Sequence, residues 1–138
     1  MQAMSIELPK REPGPFCENL AGRVTADSNR TKKWAFVELL DLAAAFVNPY
    51  QHRLWAVLVV PTRHASTVLD LTEPESESLA RLVRRVAHAI HAAFGLARLN
   101  ISQINGVASG QQIPHYHAHV LPGTPASGRT NCSQWARP

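Results

Sequence analysis

One stretch of this chain is written in helical period while the segments around it carry strand-forming residues, and that contrast limits the fold more than any other feature. Residues 73–94 read EPESESLARLVRRVAHAIHAAF. Leu79, Leu82, Val83, Val86, Ile90, Ala93 and Phe94 recur on one side of a 3.6-residue repeat. Thr72 and Glu75 fit a capping box, in which two side chains satisfy orphan N–H groups at the helix start. Glu73, Glu75 and Glu77 put negative charge in the early turns, where the macrodipole favours it. Gly95 suits the left-handed residue that ends a helix. The spacing predicts a helix over 73–94.

The flanking segments favour strands. KKWAFVELLDLAAAFVNPY at 32–50 mixes signals, since ELLDLAAA would suit a helix, but Trp34, Phe36, Val37, Phe46 and Val47 favour β structure. We read two short strands there, near 34–39 and 43–47, with Asp41 close to the turn. LWAVLVVP at 54–61 is an apolar, β-branched run closed by Pro61, as in a buried central strand. RLNISQI at 98–104 reads as a strand and NGVASG as a turn. A strand over 111–121 would complete a hairpin with 98–104. The expected class is α+β, with a mostly antiparallel sheet and one long helix.

The chain has 138 residues, enough for one domain with a sizeable core. We expect a lead-in at 1–15, a domain at 16–122 and an irregular tail at 123–138, in which Trp135 docks. A formal charge of +4 favours anionic ligands weakly. The basic residues are scattered rather than clustered, which argues against a nucleic-acid binder. Two cysteines, Cys17 and Cys132, make no disulfide framework and are expected as thiols. The start carries no apolar signal region, and the longest apolar run is too short to span a bilayer. A cytoplasmic protein with no membrane partner is expected.

The feature that carries chemistry is PHYHAHVLP at 114–122. In an extended strand, His115, His117 and His119 share one face, and Tyr116, Ala118 and Val120 the other. Pro114 and Pro122 bracket the run, so we read 115–121 as a strand. Alternate histidines lie ~6.6 Å apart, close enough to chelate one ion, but the outer two are ~13 Å apart and do not easily reach the same one. Phosphoryl chemistry fits better. A neutral imidazole attacks phosphorus when one nitrogen is unprotonated and aimed, and a hydrogen bond from the other nitrogen to a carbonyl fixes that tautomer. A neighbouring imidazole stabilises phosphate charge or protonates the leaving group. The glycine-containing NGVASGQQ just upstream would add backbone N–H donors for an anion.

HYHAHVLP resembles the His-x-His-x-His signature of the histidine-triad family of nucleotide hydrolases and transferases. NGVASGQQIP is similar to the family's Gly-Gln approach to the triad, and AFVNPYQHRLWAVLVVPTRHASTVLDLT to its strand, turn, strand, Pro-x-x-His segment. The resemblance covers about residues 34–122. Its spacing looks most like the diadenosine-polyphosphate hydrolase (fragile-histidine) branch.

The resemblance implies a five-stranded sheet with a long helix packed on it. It implies that His117 attacks an α-phosphorus to form a nucleotidyl-histidine, that His119 contacts the phosphate or leaving group, and that His115 orients the row. Gln111, Gln112 and Gly110 would approach the phosphates, Asn48 would bond the ribose, and Phe46 would line the base pocket. It further implies a homodimer through the long helix and a sheet edge. No cofactor is required for the nucleophile, and Mg²⁺ would come only with a polyphosphate substrate. Some relatives hold zinc through a Cys-x-x-Cys pair, a histidine at the position of His64 and the first triad histidine. Here the pair is Gly14 and Cys17, and no metal is expected. Trp55-Ala56 replaces a Gly-His pair, and Ile104 stands where an amide is usual. These departures surround the substrate and keep two other readings open: a nucleotide-binding module with little turnover, and a metal-binding protein using the histidine cluster.

Overall fold

Five strands pair antiparallel throughout, in the order β1-β2-β3-β5-β4. The structure is a computed structural model and describes residues 5–10, 15–21, 35–47 and 56–123. The elements are α1 (Pro15–Leu20), β1 (Ala35–Leu40), β2 (Ala43–Val47), β3 (Val57–Pro61), α2 (Glu73–Phe94), β4 (Arg98–Gln103) and β5 (Ala118–Gly123). The architecture is the expected α+β class.

Asp41 makes the tight turn between β1 and β2 at φ 51°, a conformation that Asp tolerates better than most side chains. β3 is buried along its whole length because it lies mid-sheet and both of its faces are covered. Side chains alternate across the sheet. Ala43, Ala45, Val57, Val59, Ala118 and Val120 point toward α2 and pack against Leu79, Leu82, Val86 and Ile90. Burying each of those four helix side chains contributes about 2 kcal/mol. Ala44, Phe46, Leu58 and Val60 point to the opposite face and meet Phe16 of α1.

The capping box of α2 is present as expected: Glu75 N–H donates to Thr72 Oγ1 at 3.3 Å and Thr72 N–H to Glu75 Oε2 at 2.8 Å. Gly95 ends the helix at φ 61°. The apolar stripe stops earlier than its period suggested. Phe94 is 48% exposed and Ala93 is exposed, because the last turn runs beyond the buried face.

One expectation needs correction. Residues 115–117 are not strand: β5 begins at Ala118, and only His119 of the three histidines lies in the ladder. Pro114 has no N–H to give a ladder, and the segment bonds elsewhere. Tyr116 N–H donates to Ala65 O at 2.6 Å, and His115 Nε2 donates to Pro61 O at 3.0 Å. The hairpin partnership itself holds, from Gln103↔Ala118 to Arg98↔Gly123. In the lead-in, Glu7 O accepts Val107 N–H at 2.8 Å, so residues 5–10, though irregular, dock on the loop before the triad. No helix among the described residues is long and apolar enough to cross a membrane.

Candidate active site

The site lies on the sheet face opposite α2, where β5 begins. His117 is 7% exposed, and its Nδ1 donates to its neighbour's carbonyl, His115 O, at 2.8 Å. A carbonyl can only accept, so Nδ1 carries the proton and Nε2 keeps its lone pair. Burial lowers the pKa of His117 from the usual imidazole value, against the hydrogen bond to His115 O, which raises it. His119 follows in β5, opposite Leu58 and Ser102, with its ring edge-on to His117 at 5.0 Å between centroids. Burial, then the neighbouring His117, lowers the pKa of His119 to about 4. These shifts keep both rings neutral near neutral pH.

His115 turns away from this pair. It is fully buried, its Nε2 is taken by Pro61 O, and its Nδ1 faces Cys17 Sγ at 3.4 Å. Its ring also stands edge-on to His64 at 5.2 Å. Burial lowers its pKa to about 4. The three histidines therefore stand as a ring-contact pair, His117 and His119, and a separately bonded His115, rather than as an even row. The chain bends at 113–115, ahead of the ladder of β5, and the row is broken there.

Phe16 was not among the residues expected here. It is fully buried, with its ring 5.5 Å from that of His115 and 5.3 Å from that of His117. The available signal was a large apolar residue beside Cys17, just past the lead-in. Phe46, expected in the base pocket, is fully buried in the same apolar cluster as Phe16. Asn48, His52, Trp55, Cys132 and Trp135 lie outside the described residues.

The loop before the triad is built differently from the expected anion cradle. The N–H groups of Ser109, Gly110 and Gln111 donate to Gly106 O, Val107 O and Gly106 O, and that of Val107 to Glu7 O. These amides are engaged within the protein, so Gly110 serves as a turn residue at φ 94°. Gln111 is 3% exposed. Its Oε1 accepts Gly106 N–H at 2.6 Å, and its Nε2 donates to Ser66 O at 2.8 Å and Ile113 O at 2.9 Å. The Gln111 side chain braces two loops instead of reaching outward for phosphate. Gln112 is exposed. Gln103, beside the unusual Ile104, exchanges two 2.8 Å hydrogen bonds with Asn105, whose Oδ1 also accepts Val68 N–H at 2.8 Å.

A second grouping adjoins the first. Cys17 Sγ lies 3.2 Å from His64 Nδ1, and the donor atoms of Cys17, His64 and His115 all fall within 4.8 Å of one another. One sulfur and two imidazole nitrogens form a donor set that suits zinc. The bond to Pro61 O orients His115 with its Nδ1 lone pair toward the other two donors. His64 is exposed, with Ser66 Oγ 3.4 Å from its Nε2. Against the expectation of no metal ligands, the residues present fit a metal with three protein donors.

Residues 30–126 match the family model described as HIT domain. The chain is 40% identical over 81 residues to the asymmetrical bis(5'-nucleosyl)-tetraphosphatase of Schizosaccharomyces pombe, covering 59% of this chain and 44% of that one. It is 35% identical over 69 residues to the bis(5'-adenosyl)-triphosphatase of Saccharomyces cerevisiae, covering 48% of this chain and 32% of that one. It thus spans less than half the length of both relatives. Among solved structures, a HIT family protein from Bacillus subtilis superimposes with a TM-score of 0.72 at 26% identity, covering 89% of this chain and 86% of that one. Fold, triad and family match agree: this chain belongs to the HIT domain family.

Proposed function

We propose that the protein hydrolyses a phosphoanhydride or phosphoramidate bond at the α-phosphate of a nucleotide, with His117 as nucleophile. The observation that carries this reading is the 2.8 Å bond from His117 Nδ1 to His115 O, which leaves a neutral, buried ring with its Nε2 lone pair available. The names of the two relatives, both dinucleoside polyphosphate hydrolases, support the same class.

In the first step Nε2 of His117 attacks the α-phosphorus, a P–N bond forms, and the bond from phosphorus to the leaving group breaks. His119, in ring contact with His117, takes the role of proton donor to the leaving group. The negative charge of bound phosphate favours its protonated form, opposing the burial that holds it neutral in the ligand-free site. In the second step water attacks the nucleotidyl-histidine, the P–N bond breaks, and His119 receives the proton from water. Nucleotide leaves and both imidazoles return to their starting state. Phe46 and Asn48 are proposed on the base and ribose side, with the exposed Gln112 as a phosphate contact. Mg²⁺, where present, travels with a polyphosphate substrate.

The grouping of Cys17, His64 and His115 favours a second, compatible reading as a metal-holding site. A zinc ion there would supply a structural cross-link between α1 and the triad segment. Those three residues would hold it, leaving His117 unligated.

One experiment separates the readings. The protein and a His117→Ala variant are incubated with an adenosine phosphoramidate and with a dinucleoside polyphosphate, with and without chelator. Nucleotide release that survives chelator and disappears in the variant supports the hydrolase. Tight nucleotide binding without release supports a binding module. Folding lost to chelator supports the metal reading, and the absence of both binding and release rejects the nucleotide assignment.

A further inference from the structure

The first two histidines of the triad have no sheet ladder to hold them, yet both are buried and oriented. What holds them is the segment between β3 and α2. Pro61 O accepts His115 Nε2, Ala65 O accepts Tyr116 N–H at 2.6 Å, and Ser66 O accepts Gln111 Nε2 at 2.8 Å. Val68 N–H donates back across the same gap to Asn105 Oδ1 at 2.8 Å. Residues 61–68 thus stand in for the missing strand partner. A loop can serve as a template only if something fixes the loop.

Thr62 N–H holds the start of the loop to Leu42 O at 2.9 Å, and one ion pair ties the loop to α2. Arg63 donates to both carboxylate oxygens of Glu75, from Nε at 2.6 Å and from an Nη at 2.9 Å. It also donates to Asp70 O at 2.8 Å and to His64 O at 3.3 Å, so one guanidinium binds both ends of the loop to the first turn of α2. Glu75 is in turn held by Thr72 N–H in the capping box. The loop adds its own box, with Asp70 Oδ2 accepting Thr67 N–H at 2.9 Å. Bidentate Arg–carboxylate geometry is directional, which is what a template needs and what a lysine would not supply.

We propose that Arg63 and Glu75 are positioning residues for His117. Their bidentate pair locks the 62–72 loop onto α2, and the locked loop sets the histidine segment through Ala65, Ser66 and Gln111. The assignment rests on the proposed hydrolase reading, and it gives Gln111 the part of a link between the two loops. Neither Arg63 nor Glu75 touches the rings of the triad, so their effect on turnover travels through the loop.

The test uses Arg63→Met, Glu75→Gln, their double variant, and Arg63→Lys as the milder change. Folding is first checked by circular dichroism, and kinetics are run well below each unfolding midpoint. Turnover of a dinucleoside polyphosphate is expected to fall ~10–100-fold in kcat for Arg63→Met, with KM little changed, as for a small misplacement of a reacting group. The double variant is expected to lose no more than the worse single. Arg63→Lys is expected to recover only part of the loss. Amide exchange at Tyr116 in the ligand-free protein is expected to quicken ~10-fold or more in Arg63→Met. A folded Arg63→Met protein with wild-type kcat and wild-type Tyr116 exchange overturns the proposal. So does a rise in KM alone, which would mark a substrate contact. The exchange measurement needs no substrate. Wild-type protein with no turnover would therefore reject the hydrolase reading while the exchange result still decides whether the latch exists.

Discussion

The Nδ1–H of His117 donates to the carbonyl of His115 at 2.8 Å, so the backbone of one triad residue fixes the tautomer of the next. The bond lies just past the bend at 113–115 and before the ladder of β5 begins. On the proposed hydrolase reading, it leaves a single ring nitrogen, Nε2, for the attack. His117→Ala is expected to lower nucleotide release by about 10³-fold or more, with the fold retained. Rapid-quench assays for release, with circular dichroism as the folding control, check this.

Phe16 closes the space between α1 and the two inner histidines. Phe16→Ala leaves a cavity against both rings and is expected to destabilise the protein by about 3 kcal/mol or more. Denaturant unfolding of the two proteins measures it. An unchanged midpoint would show that α1 contributes no packing to the triad.

Gly106 sits at φ 90°, and a Cβ there would stand 2.6 Å from Ile6 Cγ2. Gly106→Ala combines backbone strain with that collision and is expected to cost about 1–3 kcal/mol. Residues 5–10 are expected to lose their dock on the loop. Proteolysis of the lead-in should quicken in step with the loss of stability.

Glu75 couples stability to acid. Its hydrogen bond to Arg63 lowers its pKa to about 2 from an ordinary 4.5, against the opposing effect of burial. A depressed carboxylate pKa stabilises fully above the unfolded value and loses that contribution as pH falls through the folded value. The gap in unfolding midpoint between wild type and Glu75→Gln is thus expected to be constant above about pH 5 and to close between about pH 4.5 and 2. Thermal unfolding across that range reads it directly.

β4 is an edge strand, and Ile101 on it is 54% exposed beside Val83, Ala87 and Leu99. An exposed apolar edge of this kind invites pairing with a second copy, as the resemblance implied. Analytical ultracentrifugation is expected to find a homodimer, and Ile101→Lys to shift it toward monomer. A monomeric wild type at tens of micromolar would reject the pairing.

Much of the fold could be read from local pattern. The limits of α2, its capping box and Gly95 follow from side chains within a few residues of one another, so the sequence states them directly. The strands expected near 34–39, 43–47 and 98–104 were legible from their β-favouring residues and lie at 35–40, 43–47 and 98–103, although the helix-like ELLDLAAA had to yield to sheet pairing. The triad was legible as a family motif. Its shape was not, because alternation alone cannot tell a strand from a bent segment held by a neighbouring loop. Gln111 looked like a phosphate contact by position, and only its three buried hydrogen bonds show it bracing the loops.

By itself, then, the sequence determined what depends on near neighbours: the long helix, the strand-forming runs, the two faces of the histidine segment and the presence of three imidazoles. The resemblance pointed to Cys17 and His64 beside the first triad histidine, but only the tertiary structure shows them meeting it from about 50 to 100 positions away. It alone brought in Phe16, and Arg63 and Glu75 to settle the loop between. The reason is that a hydrogen bond or ring contact across such a separation leaves no period in the chain. It exists only once the sheet and helix have brought its two ends together.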